Sequence, residues 1–131
     1  MMYSVKIMRV FKTKPFERFA RKERIADKDL CEAVKRADKG AVDADLGGGV
    51  VKQRLARKGQ GRSGGYRTII AYRRGKISVF MFGFAKSARD NINVREVREL
   101  QDAAAVFLGL SQSDIGVALN EGRLIEVDCD G

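Results

Sequence analysis

The sequence predicts an α+β fold: a small antiparallel sheet with an N-terminal helical hairpin and a C-terminal helix packed on it. Apolar residues recur at helical spacing in residues 14–39 and again after residue 93. Between these regions, β-branched and aromatic runs alternate with glycine-rich turn signals. Because the strands and the helices are segregated along the chain, we expect the helices to lie on one face of the sheet. At 131 residues, 1–131 fit a single domain.

The N-terminal third predicts one strand followed by two helices. The segment "VKIMRVFKT", Val5–Thr13, is rich in apolar and β-branched residues and predicts the strand. Pro15 suits the first turn of a helix, and Asp27 is a candidate N-cap for the second helix, which ends at Gly40. The buried positions that we expect on these helices are Phe16, Phe19, Ala20, Ile25, Leu30, Val34 and Ala37.

The middle third predicts three antiparallel strands. Gly47–Gly49 mark a turn into "VVKQRLA", in which Lys52 and Arg54 share one face of the strand because alternate residues point the same way. The run from Tyr66 to Tyr72 predicts the next strand, and "RRGK" a hairpin turn. The near-continuous apolar run Ile77–Phe84 predicts a central strand that is buried on both faces.

The last third predicts a helix, a shorter helix and a terminal strand. The first helix places Val97, Leu100, Ala104, Phe107 and Leu108 on one side. Ser111 is a candidate cap for the short helix, and "RLIEV" predicts the strand. We therefore expect residues 111–131 to form a short C-terminal helix and an acidic tail.

Composition excludes several kinds of chemistry. The chain contains no histidine, which excludes the usual His/Cys zinc sites and a histidine general acid or base. Cys31 and Cys129 are far apart, and we expect both to be reduced thiols. No signal peptide and no membrane-spanning apolar run are recognisable. We therefore expect a cytoplasmic protein without metal, cofactor or membrane partner.

The net charge of +9 is distributed unevenly along the chain. Residues 46–89 carry 11 basic groups and no acidic group, whereas residues 90–131 carry 3 basic and 9 acidic groups. Blocks of one sign repel themselves in a folded protein, so such a block indicates a partner that supplies negative charge. Nucleic acid is the first candidate and an acidic protein the second.

The stretch "KGQGRSGGYR", residues 58–67, combines glycines with cations. It is not a P-loop or a dinucleotide-binding loop, because it lies between two strands and lacks the required pattern before a helix. We expect a long hairpin connection whose cations Lys58, Arg62 and Arg67 join Lys52 and Arg54 in a phosphate-binding surface. A basic hairpin that is merely solvated is the alternative.

Two segments, "GGGVVKQRLARKGQGRSGGYRTIIAY" and "FMFGFAKSARDNI", resemble the RelE/HigB toxins of bacterial type II toxin–antitoxin systems, and the RelE-like killer proteins in particular. The resemblance covers about residues 11–110. It implies a RelE-like fold and a metal-independent, ribosome-dependent mRNA endonuclease (mRNA interferase) that inhibits translation. It also implies a cognate helix-turn-helix antitoxin, through which the complex binds operator DNA, and mRNA in the ribosomal A site as substrate.

The resemblance also implies roles for individual residues. In such enzymes the RNA 2′-OH attacks the adjacent phosphate, so charge stabilisation and two proton transfers are needed. Arg67 matches the family arginine and is assigned to the phosphate, with Lys86 and Arg89 near the leaving oxygen. Lys52, crowded by other cations, is the candidate base. Residues expected to bind RNA are Arg54, Lys58, Arg62 and Asn91.

One departure from the family concerns "RDNINV", where well-known members place a tyrosine that stacks on a base. Asn91 or Asn93 would supply polar contacts instead. Tyr66 and Tyr72 are either stacking residues or core residues.

Two other functions stay open: a ParE-like toxin that inhibits gyrase by binding, and a non-enzymatic basic nucleic-acid-binding module, whose affinity would depend evenly on all its cations.

Overall fold

The computed structural model describes residues 8–57 and 61–129, with the backbone but not the side chains of 57 and 61–63. The strands of the described residues are β1 (Arg9–Thr13), β2 (Ala44–Gly47), β3 (Val50–Arg57), β4 (Gly61–Arg73), β5 (Ile77–Ala85) and β6 (Leu124–Val127). The helices are α1 (Lys14–Glu23), α2 (Asp27–Asp38), α3 (Val94–Leu108) and α4 (Gln112–Asn120). Within this part of the chain, no helix is long and apolar enough to span a membrane.

The strands form one sheet in the order β2-β3-β4-β5-β1-β6. The α+β class is confirmed, as is the central position of the apolar strand β5, which lies between β4 and β1. The sheet is mixed, because β1 pairs with β5 in parallel while the other neighbours are antiparallel. Strand β2, which consists of only four residues, was not predicted from the sequence.

The helices cover both faces of the sheet, so the expectation that they share one face is wrong. One core cluster packs α1 and α2 against residues such as Leu55, Ile70 and Phe80. The other packs α3 and α4 against Ile69 and Phe84. The physical reason is the sheet itself: its central strands carry apolar side chains on both faces. Each large buried side chain contributes about 1.5–3 kcal/mol only when its face is covered.

Local signals fix where the helices begin. The Thr13 hydroxyl accepts a hydrogen bond from the Phe16 N–H at 3.2 Å and caps α1, with Pro15 in the first turn as predicted. Ser111 caps α4 as predicted. The prediction for α2 is wrong by one residue, since Ala26 is the N-cap. Asp27 instead lies in the first turn, where its carboxylate interacts favourably with the helix dipole.

Residues 61–67 of the glycine-rich stretch belong to β4 rather than to a connection, so the expectation that these residues form a long hairpin connection is wrong. Gly61 already pairs with Arg57, and Tyr66 pairs with Leu55. Between these pairs, one residue of β3 faces four residues of β4, so the glycines occupy an enlarged bulge. The Gly65 carbonyl accepts a hydrogen bond at 3.0 Å from the Lys86 N–H, which joins this bulge to the segment after β5.

The two cysteines form a disulfide, so the prediction of two reduced thiols is wrong. Cys31 lies on α2 and Cys129 follows β6, at a sequence separation of 98 residues. No sequence pattern indicated this pairing, because strand order, not distance along the chain, decides which segments meet. β6 is the edge strand beside β1, and residue 129, which follows it, therefore lies next to α2.

Candidate nucleic-acid interface and its family

A row of side chains on the α3-facing side of the sheet brings two of the predicted arginines together. Arg54 of β3 pairs directly with Arg67 of β4, which in turn pairs with Phe84 of β5. Lys52 occupies the next row on the same face, about 7–8 Å diagonally from Arg67. Lys52, Arg54 and Arg67 are referred to below as the cationic cluster. Their common face confirms the strand alternation read from the sequence.

Arg67 is the buried member of the cationic cluster, with 5% of its surface exposed. One guanidinium nitrogen, Nη1, lies 3.5 Å from the Tyr66 carbonyl oxygen. Burial lowers the pKa of Arg67, and the neighbouring Arg54 lowers it further, while Asp43 and Asp90 act in the opposite direction. An arginine remains charged even so. The fold therefore holds a charged guanidinium in a desolvated position beside a second cation.

The backbone of Arg54 is fixed by contacts to residues outside the sheet. Its N–H donates to the Asp43 carboxylate at 2.7 Å, and its carbonyl accepts from Arg36 Nη2 at 2.6 Å. The side chain of Gln53 donates to the Ala33 carbonyl at 2.9 Å and accepts from the Asp43 N–H at 2.7 Å. These contacts to α2 and to the segment after it anchor the strand that carries the cations. Sequence reasoning missed Arg36 and Asp43, because only the tertiary fold brings them to β3.

Asn91 joins the segment after β5 to the cationic cluster. Its Oδ1 accepts a hydrogen bond from Lys52 Nζ at 3.3 Å and another from the Ile92 N–H at 2.9 Å. Asn93, the other asparagine considered for polar contacts, instead caps α3: its Oδ1 accepts from the Glu96 N–H at 2.8 Å. The structure thus gives the two asparagines different positions, one at the cluster and one at the helix terminus.

Arg89 is held by contacts within the protein. Its two terminal nitrogens bind both carboxylate oxygens of Glu96, Nη1 at 3.0 Å and Nη2 at 2.5 Å, and its Nε donates to the Asn91 carbonyl at 3.0 Å. The guanidinium also lies over the Phe84 ring, 5.3 Å from the centroid. The hydrogen bond from Arg89 is the main cause that lowers the pKa of Glu96 to about 2. Glu96 was missed, although Asn93 followed by Glu96 is a capping-box signature in the sequence.

Lys86 lies apart from these contacts. Its side chain is exposed and lines a shallow depression with Gly64, Ser87 and Asp90. Lys58 and the side chain of Arg62 fall outside the described residues.

The two tyrosines considered for stacking lie on the α1–α2 side of the sheet: Tyr66 is buried, and Tyr72 is half-buried and donates a hydrogen bond to Asp38. Among residues 8–57 and 61–129, no group of three or more metal-ligating side chains is assembled.

A comparison with known protein families identifies the kind of protein to which this fold belongs. The family profile described as "RelE toxin of RelE / RelB toxin-antitoxin system" matches residues 8–127. The chain belongs to the RelE toxin family. The resemblance noted in the sequence is therefore confirmed, and the six-stranded sheet with its four helices, counted over the described residues, is consistent with the RelE fold. No curated protein is significantly similar to the chain.

Membership of the RelE toxin family indicates the general function of the chain. The chain is the toxin component of a toxin–antitoxin system, and a protein of this kind has an antitoxin partner. The matched residues include all ten elements of the described fold from β1 to β6. The cationic cluster, Lys86, Arg89 and Asn91 thus lie within the matched region.

Proposed function

We propose that this RelE-family toxin is a metal-independent endoribonuclease that cleaves mRNA in the ribosomal A site and so inhibits translation. The observation that carries the proposal is the buried guanidinium of Arg67 directly opposite Arg54. Arg67 is buried and Arg54 opposite it is exposed, so the fold concentrates two positive charges at a site where a bound anion gains Coulomb energy from both. A phosphodiester supplies that anion, and arginine binds phosphate oxygens in a bidentate manner. The proposal includes a cytoplasmic location, since that is where mRNA is translated.

The reaction is an in-line transesterification. The 2′-oxygen of the ribose attacks the adjacent phosphorus while the bond from phosphorus to the 5′-oxygen breaks. The products are a 2′,3′-cyclic phosphate and a 5′-hydroxyl. One proton leaves the 2′-OH and one reaches the departing 5′-oxygen. Charge accumulates on the phosphoryl oxygens in the transition state, and preorganised cations stabilise it more strongly than they stabilise the substrate.

We assign roles within this reaction as follows. Arg67 binds the scissile phosphate and stabilises its developing charge. Lys52, held by Asn91, is the candidate to take the proton from the 2′-OH. The exposed Lys86 is available to protonate or neutralise the leaving oxygen. Arg54 holds the RNA backbone, and Lys58 and Arg62 of the neighbouring segment are proposed to do the same.

Arg89 receives a different role from the one that the sequence suggested. Three of its N–H groups are engaged by Glu96 and the Asn91 carbonyl, which leaves it poorly placed for a direct reaction with substrate. We propose that Arg89 orders the segment from 86 to 93 and so positions Lys86 and Asn91. Its contribution to cleavage would then be indirect.

The partner proposal follows from the same charges. We propose that a cognate helix-turn-helix antitoxin masks the toxin, and that the complex binds operator DNA through the antitoxin. An acidic antitoxin segment would be attracted to the basic residues 46–89 and would compete with RNA for the cationic cluster.

The first test is induction of the wild-type toxin and of Arg67→Gln and Arg67→Lys in cells without antitoxin. We expect growth arrest and mRNA cuts ending in 5′-hydroxyls for the wild type. Losing an oriented guanidinium should lower cleavage by about 10²–10³-fold. Arg74→Gln is the matched control: Arg74 is an exposed cation in the β4–β5 turn, and its loss should leave cleavage unchanged. Circular dichroism checks that each variant folds.

Each alternative gives a different result in this experiment. Growth arrest without mRNA cuts would contradict the nuclease and favour a ParE-like gyrase inhibitor. No arrest and no cuts would leave a basic nucleic-acid-binding module. Equal loss of cleavage in folded Arg67→Gln and Arg74→Gln would contradict the assignment of Arg67 while keeping the nuclease.

A further inference from the structure

A second positively charged surface lies on α1, across the sheet from the cationic cluster. It is formed by exposed cations of α1, of the turn after it and of the first turn of α2, here named the α1 stripe: Lys14, Arg18, Lys22, Arg24 and Lys28. Within the described residues, none of the five forms an ion pair or a side-chain hydrogen bond. The stripe is thus a row of charges that the described fold does not neutralise.

Three acidic residues of the same helical hairpin, Glu17, Glu23 and Asp27, bind groups other than the stripe. Glu17 binds the buried Lys12 at 2.7 Å and Arg21 at 3.1 Å, and Asp27 binds Lys12 at 3.1 Å. The Glu23 carboxylate accepts a hydrogen bond from the Tyr66 hydroxyl at 3.0 Å. These contacts draw the carboxylates toward Lys12 and Tyr66 and leave the outer side of α1 strongly positive.

The spacing of the cations in the stripe lowers the stability of α1, because it places like charges next to one another. Lys14, Arg18 and Lys22 follow at intervals of four residues, which places them in a line with about 6 Å between successive positions along the helix. Like charges at this spacing destabilise a helix by about 0.2–0.5 kcal/mol per pair. Lys14 also lies in the first turn, where the helix dipole disfavours a cation. These cations therefore do not stabilise the helix. Their linear arrangement instead suits the binding of a linear polyanion.

The stripe extends to the same end of the sheet as the cationic cluster. α1 ends at Glu23, which contacts the Tyr66 hydroxyl, and Arg24 follows directly. Tyr66 precedes Arg67 on β4, and the two side chains lie on opposite faces of the sheet. The C-terminal end of α1 and Arg67 therefore lie at neighbouring positions of β4, on opposite faces of the sheet.

The stripe lacks the apolar residues that a protein partner would require. The large apolar side chains that are strongly exposed in the described residues are Val94, Val106 and Val117, all on α3 or α4. The centres of protein–protein interfaces are apolar and depleted in charge. A surface of cations alone suits the phosphate backbone of a nucleic acid.

We propose that the α1 stripe binds the backbone of RNA outside the scissile phosphodiester. This goes beyond the proposed cleavage, and the binding itself does not require it. The interaction is with phosphates and carries no sequence preference, so it adds affinity and orients the RNA rather than selecting a cleavage site.

The test measures binding of a fluorescent, 2′-O-methylated oligouridylate, which lacks the attacking hydroxyl and cannot be cut. Anisotropy titrations over a range of salt give the slope of log affinity against log salt concentration. For Lys14→Gln/Arg18→Gln/Lys22→Gln we expect this slope to decrease by about 2, since each phosphate contact on a single strand contributes about 0.7. The matched control, Lys39→Gln/Arg74→Gln/Lys76→Gln, removes the same charge from exposed positions away from the stripe and the cluster.

Equal slopes for the two triple variants would overturn the proposal. So would displacement of the RNA by polyglutamate as effectively as by unlabelled RNA at equal charge concentration, since the surface would then suit an acidic protein. If the first triple variant fails to fold, Arg18→Gln alone should lower the slope by about 0.7. Stripe-dependent binding without mRNA cuts in cells would contradict only the nuclease, and cuts with equal slopes would contradict only the stripe.

Discussion

At the scale of single residues, the two arginines assigned to catalysis from the sequence have different surroundings. Arg67 is buried opposite another cation, while Arg89 is neutralised by a bidentate carboxylate. For both residues the sequence offered the same kind of evidence, an arginine in a segment that resembles the family. The structure thus separates a buried arginine that lies directly opposite Arg54 from one that is held in a bidentate ion pair with Glu96.

The Arg89–Glu96 pair predicts a pH dependence of stability. Glu96→Gln keeps a side chain that caps α3 but removes the charge that binds Arg89. In the folded protein the pKa of Glu96 is about 2, below its ordinary value of 4.5. A carboxylate with a lowered pKa stabilises the fold above its unfolded-state pKa, and this contribution is lost as the pH falls from about 4.5 to about 2.

Urea unfolding at a series of pH values measures this effect. The wild type should be more stable than Glu96→Gln near neutral pH, and the difference should shrink as the pH falls below about 4.5. Glu99→Gln is the matched control, since Glu99 is exposed on the same helix and has no ion pair among the described residues. A difference between wild type and Glu96→Gln that does not vary with pH would contradict the assignment.

At the scale of elements, the position of α3 depends on the turn between β2 and β3. Gly47, Gly48 and Gly49 all have positive φ, which matches the turn read from the sequence. A Cβ on Gly49 would lie 2.5 Å from Leu108 Cδ1, and one on Gly48 would lie 3.1 Å from Gln101 Cγ. The glycines therefore serve two purposes: they form the turn, and they let α3 approach the sheet that carries the cationic cluster.

Gly49→Ala tests this packing. We expect it to destabilise the protein by about 1–2 kcal/mol for a Cβ at positive φ, and by about 0.5–1.5 kcal/mol more because the end of the Leu108 side chain must move aside. Gly75→Ala isolates the first contribution, because Gly75 has a φ of +71° and a Cβ added there would meet no atom within 4 Å. Thermal or denaturant unfolding of both variants gives the comparison. Equal destabilisation would show that the contact with Leu108 is absorbed without cost.

At the scale of the whole molecule, the disulfide connects the N-terminal helical hairpin to the end of the described chain. Cys31 on α2 is linked to Cys129 after β6, and α2 in turn supports β3 through Arg36 and the Ala33 carbonyl. Closing so long a segment restricts the unfolded chain more than the folded one.

Reduction of this disulfide should therefore lower stability. We expect Cys129→Ser, or the wild type under reducing conditions, to lose about 2–5 kcal/mol of unfolding free energy. Denaturant unfolding with and without a dithiol measures the loss. Cys129→Ser should be insensitive to the dithiol, and a wild type that is equally insensitive would show that the bond does not stabilise the fold.

Local sequence signals were sufficient to predict the helices, the turns at residues 47–49 and 73–76 and the central strand, because periodicity, caps and positive-φ glycines are properties of short segments. The same signals were also sufficient to identify the family and to show the basic character of residues 46–89. Which cations meet depends on the fold, since the β3–β4 register places Arg54 opposite Arg67. The same holds for the pairing of Glu96 with Arg89, the helices on both faces of the sheet, and the bond from Cys31 to Cys129. These contacts join residues from different elements, and spacing along the chain carries little information about such distances.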